Sequence, residues 1–96
     1  MDAIGPGSLK CVVGSSDRRT VRDAIESALL AHVRLEDVRH LGGEAFAVYT
    51  EAAPDEIRDW LGDALEDGES AFVVEFERWS SRGPVADREW LLRRGH

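Results

Sequence analysis

Residues 53–79 constrain the fold more than any other stretch, because an amphipathic helix pattern, a glycine turn and a long apolar strand pattern follow one another there without a break. Ile57, Trp60, Leu61, Ala64 and Leu65 recur at the spacing of one helical face, and Pro54 stands where a first helical turn needs no N–H. The spacing predicts a helix over 54–65 with an acidic opposite face. Asp67-Gly68 closes it, since glycine tolerates the left-handed backbone at a helix C-terminus. Over 70–79, Phe72, Val74 and Phe76 alternate against Val73, Glu75 and Glu77, the strongest strand pattern in the chain. A helix delivered straight into a strand calls for a core that packs the two together.

With 96 residues, the chain has room for one such core and no second. Its composition, 43% hydrophobic and 32% charged, suits a folded domain. A formal charge of −7 disfavours free nucleic acid and anionic membranes on average and favours cationic partners. Cys11 is the single cysteine, so no internal disulfide forms. No basic start leads into an apolar run of signal-peptide type, and nothing approaches the roughly 18 apolar residues of a membrane span. The expectation is a cytoplasmic protein without membrane contact.

Elsewhere the chain alternates in the same manner. Gly5, Pro6 and Gly7 make 1–8 a flexible lead-in, and 9–13 is a short strand, apolar on both faces. Asp17 or Thr20 suits the cap of a helix carrying Val21, Ala24, Ile25, Ala28 and Leu29 and ending near His32. Two extended runs between Arg34 and Thr50 flank Gly42-Gly43, a pair fitted to a tight hairpin; Phe46 and Val48 point one way, Ala45, Ala47 and Tyr49 the other. After a loop over 80–83, Pro84 can open a short helix with Val85, Trp90, Leu91 and Leu92 before Gly95.

Strand, helix, strand, strand, helix, strand is the split βαβ order. It implies an α+β, ferredoxin-like βαββαβ domain over 9–79, a four-stranded antiparallel sheet with two helices on one face, followed by a basic segment 80–96 with a short helix. The other face, given Cys11, Val13, Ala47, Tyr49, Val73 and Trp79, then needs cover from a second subunit or from the C-terminal segment, because apolar area left in water costs roughly 25 cal/mol per Å².

Several segments taken together, Tyr49-Thr50-Glu51, Pro54-Asp55-Glu56-Ile57-Arg58, Leu65-Glu66-Asp67-Gly68-Glu69-Ser70, Phe72-Val73-Val74-Glu75 and Trp79-Ser80-Ser81-Arg82-Gly83, resemble the small CRISPR-associated adaptation proteins and their SinR-like relatives. The similarity covers about half the chain, and Trp79-x-x-x-Gly83 is its most particular element. The resemblance implies a ferredoxin-like homodimer with strand or tail elements exchanged between subunits. In the catalytic members it also implies a metal-dependent nuclease with an Asp at the end of the first strand. Here that strand ends Val13-Gly14-Ser15-Ser16-Asp17, so the nuclease site is not carried over and the chain reads as a degenerate member.

Asp17 remains the one catalytic candidate: either a helix cap or a carboxylate that, paired across a dimer axis, would hold Mg²⁺ or Mn²⁺. Gly14-Ser15-Ser16 before a helix either cradles a phosphate or merely connects, and it lacks the lysine of a P-loop. His32, His40 and His96 have no spacing that forms a metal set with Cys11, so no metal site and no cofactor is expected outside the nuclease alternative.

Charge layout gives the partner candidates. Arg78, Arg82, Arg88, Arg93 and Arg94 against Asp87 and Glu89 give 78–96 a net +3 and leave −10 on the remainder. With Trp79 and Trp90 to stack on bases, this segment is the one route to nucleic acid; Glu51–Glu69, with eight carboxylates and one arginine, offers it instead a counter-surface within the chain or in a second subunit. Asp55, Asp59 and Asp63 form a solvated helix face or a dock for a basic protein. The leading reading is a non-catalytic, homodimeric protein-association module in bacterial defence, contacting partners through Trp79, Arg82, Trp90, Arg93, Arg94, Asp55, Asp59 and Asp63. The alternatives are a metal-dependent nuclease and an acidic immunity or inhibitor protein.

Overall fold

The computed structural model describes residues 7–82 and 87–95. The chain runs β1 (Ser8–Ser15), α1 (Arg22–Leu30), a single 3-10 turn (Leu35–Asp37), β2 (Val38–Gly42), β3 (Ala45–Thr50), α2 (Pro54–Gly62), β4 (Ser70–Phe76) and α3 (Arg88–Gly95). The strands form one antiparallel sheet in the order β2-β3-β1-β4, an α+β architecture compatible with a ferredoxin-like fold.

Alternation along β1 and β3 assigns the two faces. Val12 stands opposite Phe46 and Val73, and these meet Ile25 and Leu29 of α1 and Ile57 and Leu61 of α2 in the main core. Full burial of each such aliphatic side chain contributes roughly 1.5–3 kcal/mol. Gly14 belongs to this layer because α1 crosses it closely: a Cβ there would run into Ile25 Cδ1 and come within 2.7 Å of Val21 Cγ2.

Local chemistry sets the ends of the elements. Gly42 and Gly43 supply the positive φ angles of the β2–β3 turn, 124° and 52°. Glu56 Oε1 accepts the Ala53 N–H at 3.0 Å, the half of a capping box that an alanine at the N-cap permits. The helix expected over 54–65 ends at Gly62 and continues as turns, and the strand expected over 70–79 ends at Phe76. At α1 the N-cap is Val21 with no side-chain cap bond; Asp17 lies exposed in the preceding bend, and Thr20 Oγ1 accepts only the Arg22 N–H, at 3.4 Å. The lead-in expected over 1–8 is shorter, because Ser8 already pairs with Thr50; residues 1–6 lie outside the described residues, as do Pro84, Val85 and His96.

The second sheet face holds the main departure from expectation. Val73 does not point there: its partner is Val12, so it packs under the helices and Phe72, Val74 and Phe76 take the second face. α3 covers much of that face. Trp90 and Leu91 are buried with Leu9 and Ala47, edged by Leu41, Tyr49, Phe76 and Trp79.

Candidate functional site

α3 is held down by its own residues. Asp87 Oδ1 accepts the Trp90 N–H at 3.1 Å, capping the helix, while Trp90 Nε1 donates to the Glu36 carbonyl at 2.7 Å. Two guanidinium groups lie over the indole ring, Arg94 Cζ at 4.7 Å and Arg39 Cζ at 5.8 Å from its centroid. Arg94 Nε donates to Asp37 Oδ1 at 3.0 Å, and Arg39 pairs with Asp87 at 3.4 Å. Of the tail residues read as partner contacts, Trp90 and Arg94 are therefore engaged inside the chain. Trp79 is half-buried against the same cluster, whereas Arg82 and Arg93 are exposed.

Within the chain, the acidic helix is not the counter-surface of the described tail residues. Asp55 and Asp59 on α2, and Asp63 just after it, are exposed on the helical side of the sheet, opposite α3; Asp59 pairs with Arg58 at 3.2 Å. Asp37, just ahead of β2, takes the tail arginine instead.

Around Asp17 the loop is committed to internal bonds. Ser16 Oγ donates to Glu69 at 3.0 Å, the Gly14 N–H donates to the Glu44 carbonyl at 2.9 Å, and Arg18 donates to the Asp67 carbonyl. Arg19 closes on Glu69 from the same loop. The groups that a phosphate cradle would use are thus spent within the chain: the Ser16 hydroxyl ties the β1–α1 loop to the α2–β4 turn, and the Gly14 amide ties the end of β1 to the β2–β3 turn. An open hollow of about 340 Å³ lies beside that turn, lined by Arg58, Leu61, Leu65, Glu66 and Asp67 among others.

Two of the three histidines lie among the described residues. His32 stacks on Trp60 at 4.4 Å, and His40 Nε2 lies 2.7 Å from the Gly43 carbonyl. Among the described residues no group of three or more His, Cys, Asp or Glu is arranged to hold a metal ion, and no helix is long and apolar enough to cross a membrane.

One buried charge escaped the reading of the sequence. Lys10, the only lysine, is 2% exposed. Its Nζ donates to Ser8 Oγ at 2.7 Å and to the Thr50 carbonyl at 2.8 Å, and Ser8 Oγ donates in turn to Glu75. Burial lowers the ammonium below its ordinary value, against the opposing pull of Glu75 and Glu56. A lysine between Leu9 and Cys11 in an apolar strand is the signal that could have found it.

What α3 leaves uncovered is an apolar strip along β1 and β4. Val13 and Phe72 are direct cross-strand partners, 40% and 67% exposed, and the neighbouring pair Cys11 and Val74 is half-buried. Burial pushes the Cys11 thiol up. Leu92 of α3 is 53% exposed. A large aromatic standing out of a sheet face beside a half-exposed valine is the kind of surface that marks a protein contact. No family model, no curated protein and no solved structure matches this chain.

Proposed function

We propose that this chain is a ferredoxin-like module that works by association rather than catalysis, and that it does so as a homodimer through the strip α3 leaves open. One observation carries the reading: Phe72, 67% exposed, sits on a sheet face whose neighbouring half is closed by Trp90 and Leu91. The C-terminal segment thus covers part of the surface that the sequence left open, and a second subunit is the cover for the rest. Burying a phenylalanine and its valine neighbour contributes on the order of 2 kcal/mol each, enough to anchor a small two-fold contact. The resemblance of residues 49–83 to the CRISPR-associated adaptation and SinR-like proteins supports a setting in bacterial defence.

The test is the mass in solution. Sedimentation equilibrium is expected to give twice the 10.6 kDa of the chain, and Phe72→Glu, at a site that carries little of the fold, is expected to return it to a single chain. A wild-type protein that stays at the mass of one chain up to high micromolar concentration contradicts the proposal.

A further inference from the structure

The sheet has two edges, and they are not alike. β2 carries a register shift between His40 and Gly42 and a charged Arg39 paired with Asp87. Irregularity and charge are devices that keep an edge from pairing with another chain. β4 has neither along its centre: its ladder to β1 runs from Leu9↔Phe76 to Ser15↔Ser70 without a shift, and Ala71, Phe72, Val73 and Val74 bring no charge and no proline. The unprotected edge is also the one that carries the exposed apolar strip.

We propose that β4 pairs antiparallel with β4 of a second copy about a two-fold axis at Val73, joining the two sheets into one continuous sheet. This rests on the self-association reading above and gives it a register. Around Val73, Phe72 falls opposite Val74 of the copy, twice, on the uncovered face, so the apolar strip runs unbroken across the axis. Ala71 falls opposite Glu75.

Charge complementarity selects a second copy as the occupant. The same register carries Arg78, exposed just beyond β4, alongside Asp67 and Gly68 of the copy, where Asp67 is exposed as well. Among the described residues neither Arg78 nor the Asp67 carboxylate has an ion-pair partner. A basic strand exit therefore meets an acidic turn at both ends of the interface. The chain's −7 charge is moderated at this edge, because two of its carboxylates, Glu69 and Glu75, are already engaged, while Glu77 is exposed. Glu69, which would face Glu77 of the copy, is closed by Arg19, and Glu75 is bonded by Ser8 beside Lys10.

Disulfide trapping tests the register. In a Cys11→Ala background, needed because Cys11 is a free thiol on the neighbouring strand, the full-length double variant Ala71→Cys/Glu75→Cys, which keeps Phe72 and Val74, is oxidised beside Ala71→Cys alone, and each is sedimented under reducing conditions. Directly opposed cross-strand positions suit a disulfide and positions out of register do not. The double variant is expected to form a covalent dimer about a hundredfold faster than the single one, as an effective concentration in the millimolar range dictates. A sedimenting dimer that does not cross-link, or that cross-links equally in both variants, overturns the β4 register and leaves self-association standing. A single-chain mass for the Cys11→Ala parent and for the wild type overturns both.

Discussion

Arg19 grips Glu69 with two parallel hydrogen bonds, Nε to Oε2 and Nη2 to Oε1, each 2.7 Å long. The Glu69 side chain is wholly screened from solvent and also accepts the Glu66 N–H at 2.8 Å and Ser16 Oγ at 3.0 Å. Four donors converge on one carboxylate, so the β1–α1 loop and the α2–β4 turn are fixed to each other through it. Whatever approaches β4 meets a strand anchored at the residue just before its start.

Those donors favour the ionised form, the Arg19 bond most of all, and bring the Glu69 carboxyl from 4.5 down to about 2. A carboxyl whose folded value lies below its unfolded one contributes stability that is fully present above the unfolded value and is lost as pH falls. Urea melts between pH 6 and 2 are therefore expected to weaken from about pH 4.5 downward. Glu69→Gln lowers stability at pH 6 and flattens this acid limb. An unchanged acid limb in Glu69→Gln counts against the hub.

Gly14→Ala tests the closeness of α1 to the sheet. The added methyl meets Ile25 and Val21, both fully buried, so the core must shift to admit it. Overpacking of this kind costs about 1–3 kcal/mol. Denaturant melts are expected to fall by that amount, whereas Gly62→Ala, with open space at its Cβ, leaves the midpoint near wild type or above it.

Trp90 has two separable roles in holding α3. Trp90→Phe keeps most of the packing and loses the bond to the Glu36 carbonyl, about 0.5–1.5 kcal/mol. Trp90→Ala also opens the second-face cluster and costs about 3–5 kcal/mol. Equal losses in thermal melts for the two variants contradict the docking described for α3.

Lys10 makes a chemical prediction. Its amine is shielded and bonded on two sides, so an amine-reactive ester applied to the native protein is expected to leave it unmodified, while the urea-unfolded chain reacts fully. Peptide mass mapping reads the difference. Rapid native labelling at Lys10 means that the Ser8–Lys10–Thr50 contact opens readily.

The sequence made much of the architecture legible because its signals are local. The helical spacing of Ile57 and Leu61 identified α2, Gly42-Gly43 identified the hairpin, and the order of elements gave a sheet that is indeed antiparallel and four-stranded. The face of β4 was not legible, since Phe72, Val73 and Val74 are all apolar and alternation carries no information where both faces are apolar. Only the pairing of Val73 with Val12 decides it. Trp90 was readable as an aromatic in a basic segment but not as a core residue, because a short helix does not declare which surface it covers. Glu69 was one carboxylate among eight in its segment until the fold brought Arg19 to it from fifty residues away.

A single thiol on β4 offers the most direct test of the central claim, that the open strip of the second face is closed by self-association. Val74 lies on that strip beside Phe72 and opposite Cys11, so Val74→Cys in a Cys11→Ala background places one cysteine at the contact. Its reaction with N-ethylmaleimide in the native protein is to be compared with that in the same protein carrying Phe72→Glu at equal concentration, with circular dichroism showing both folded. The account predicts that the protein with Phe72 reacts severalfold more slowly and that dilution brings its rate up to that of the Phe72→Glu variant. Equal rates at every concentration would contradict it.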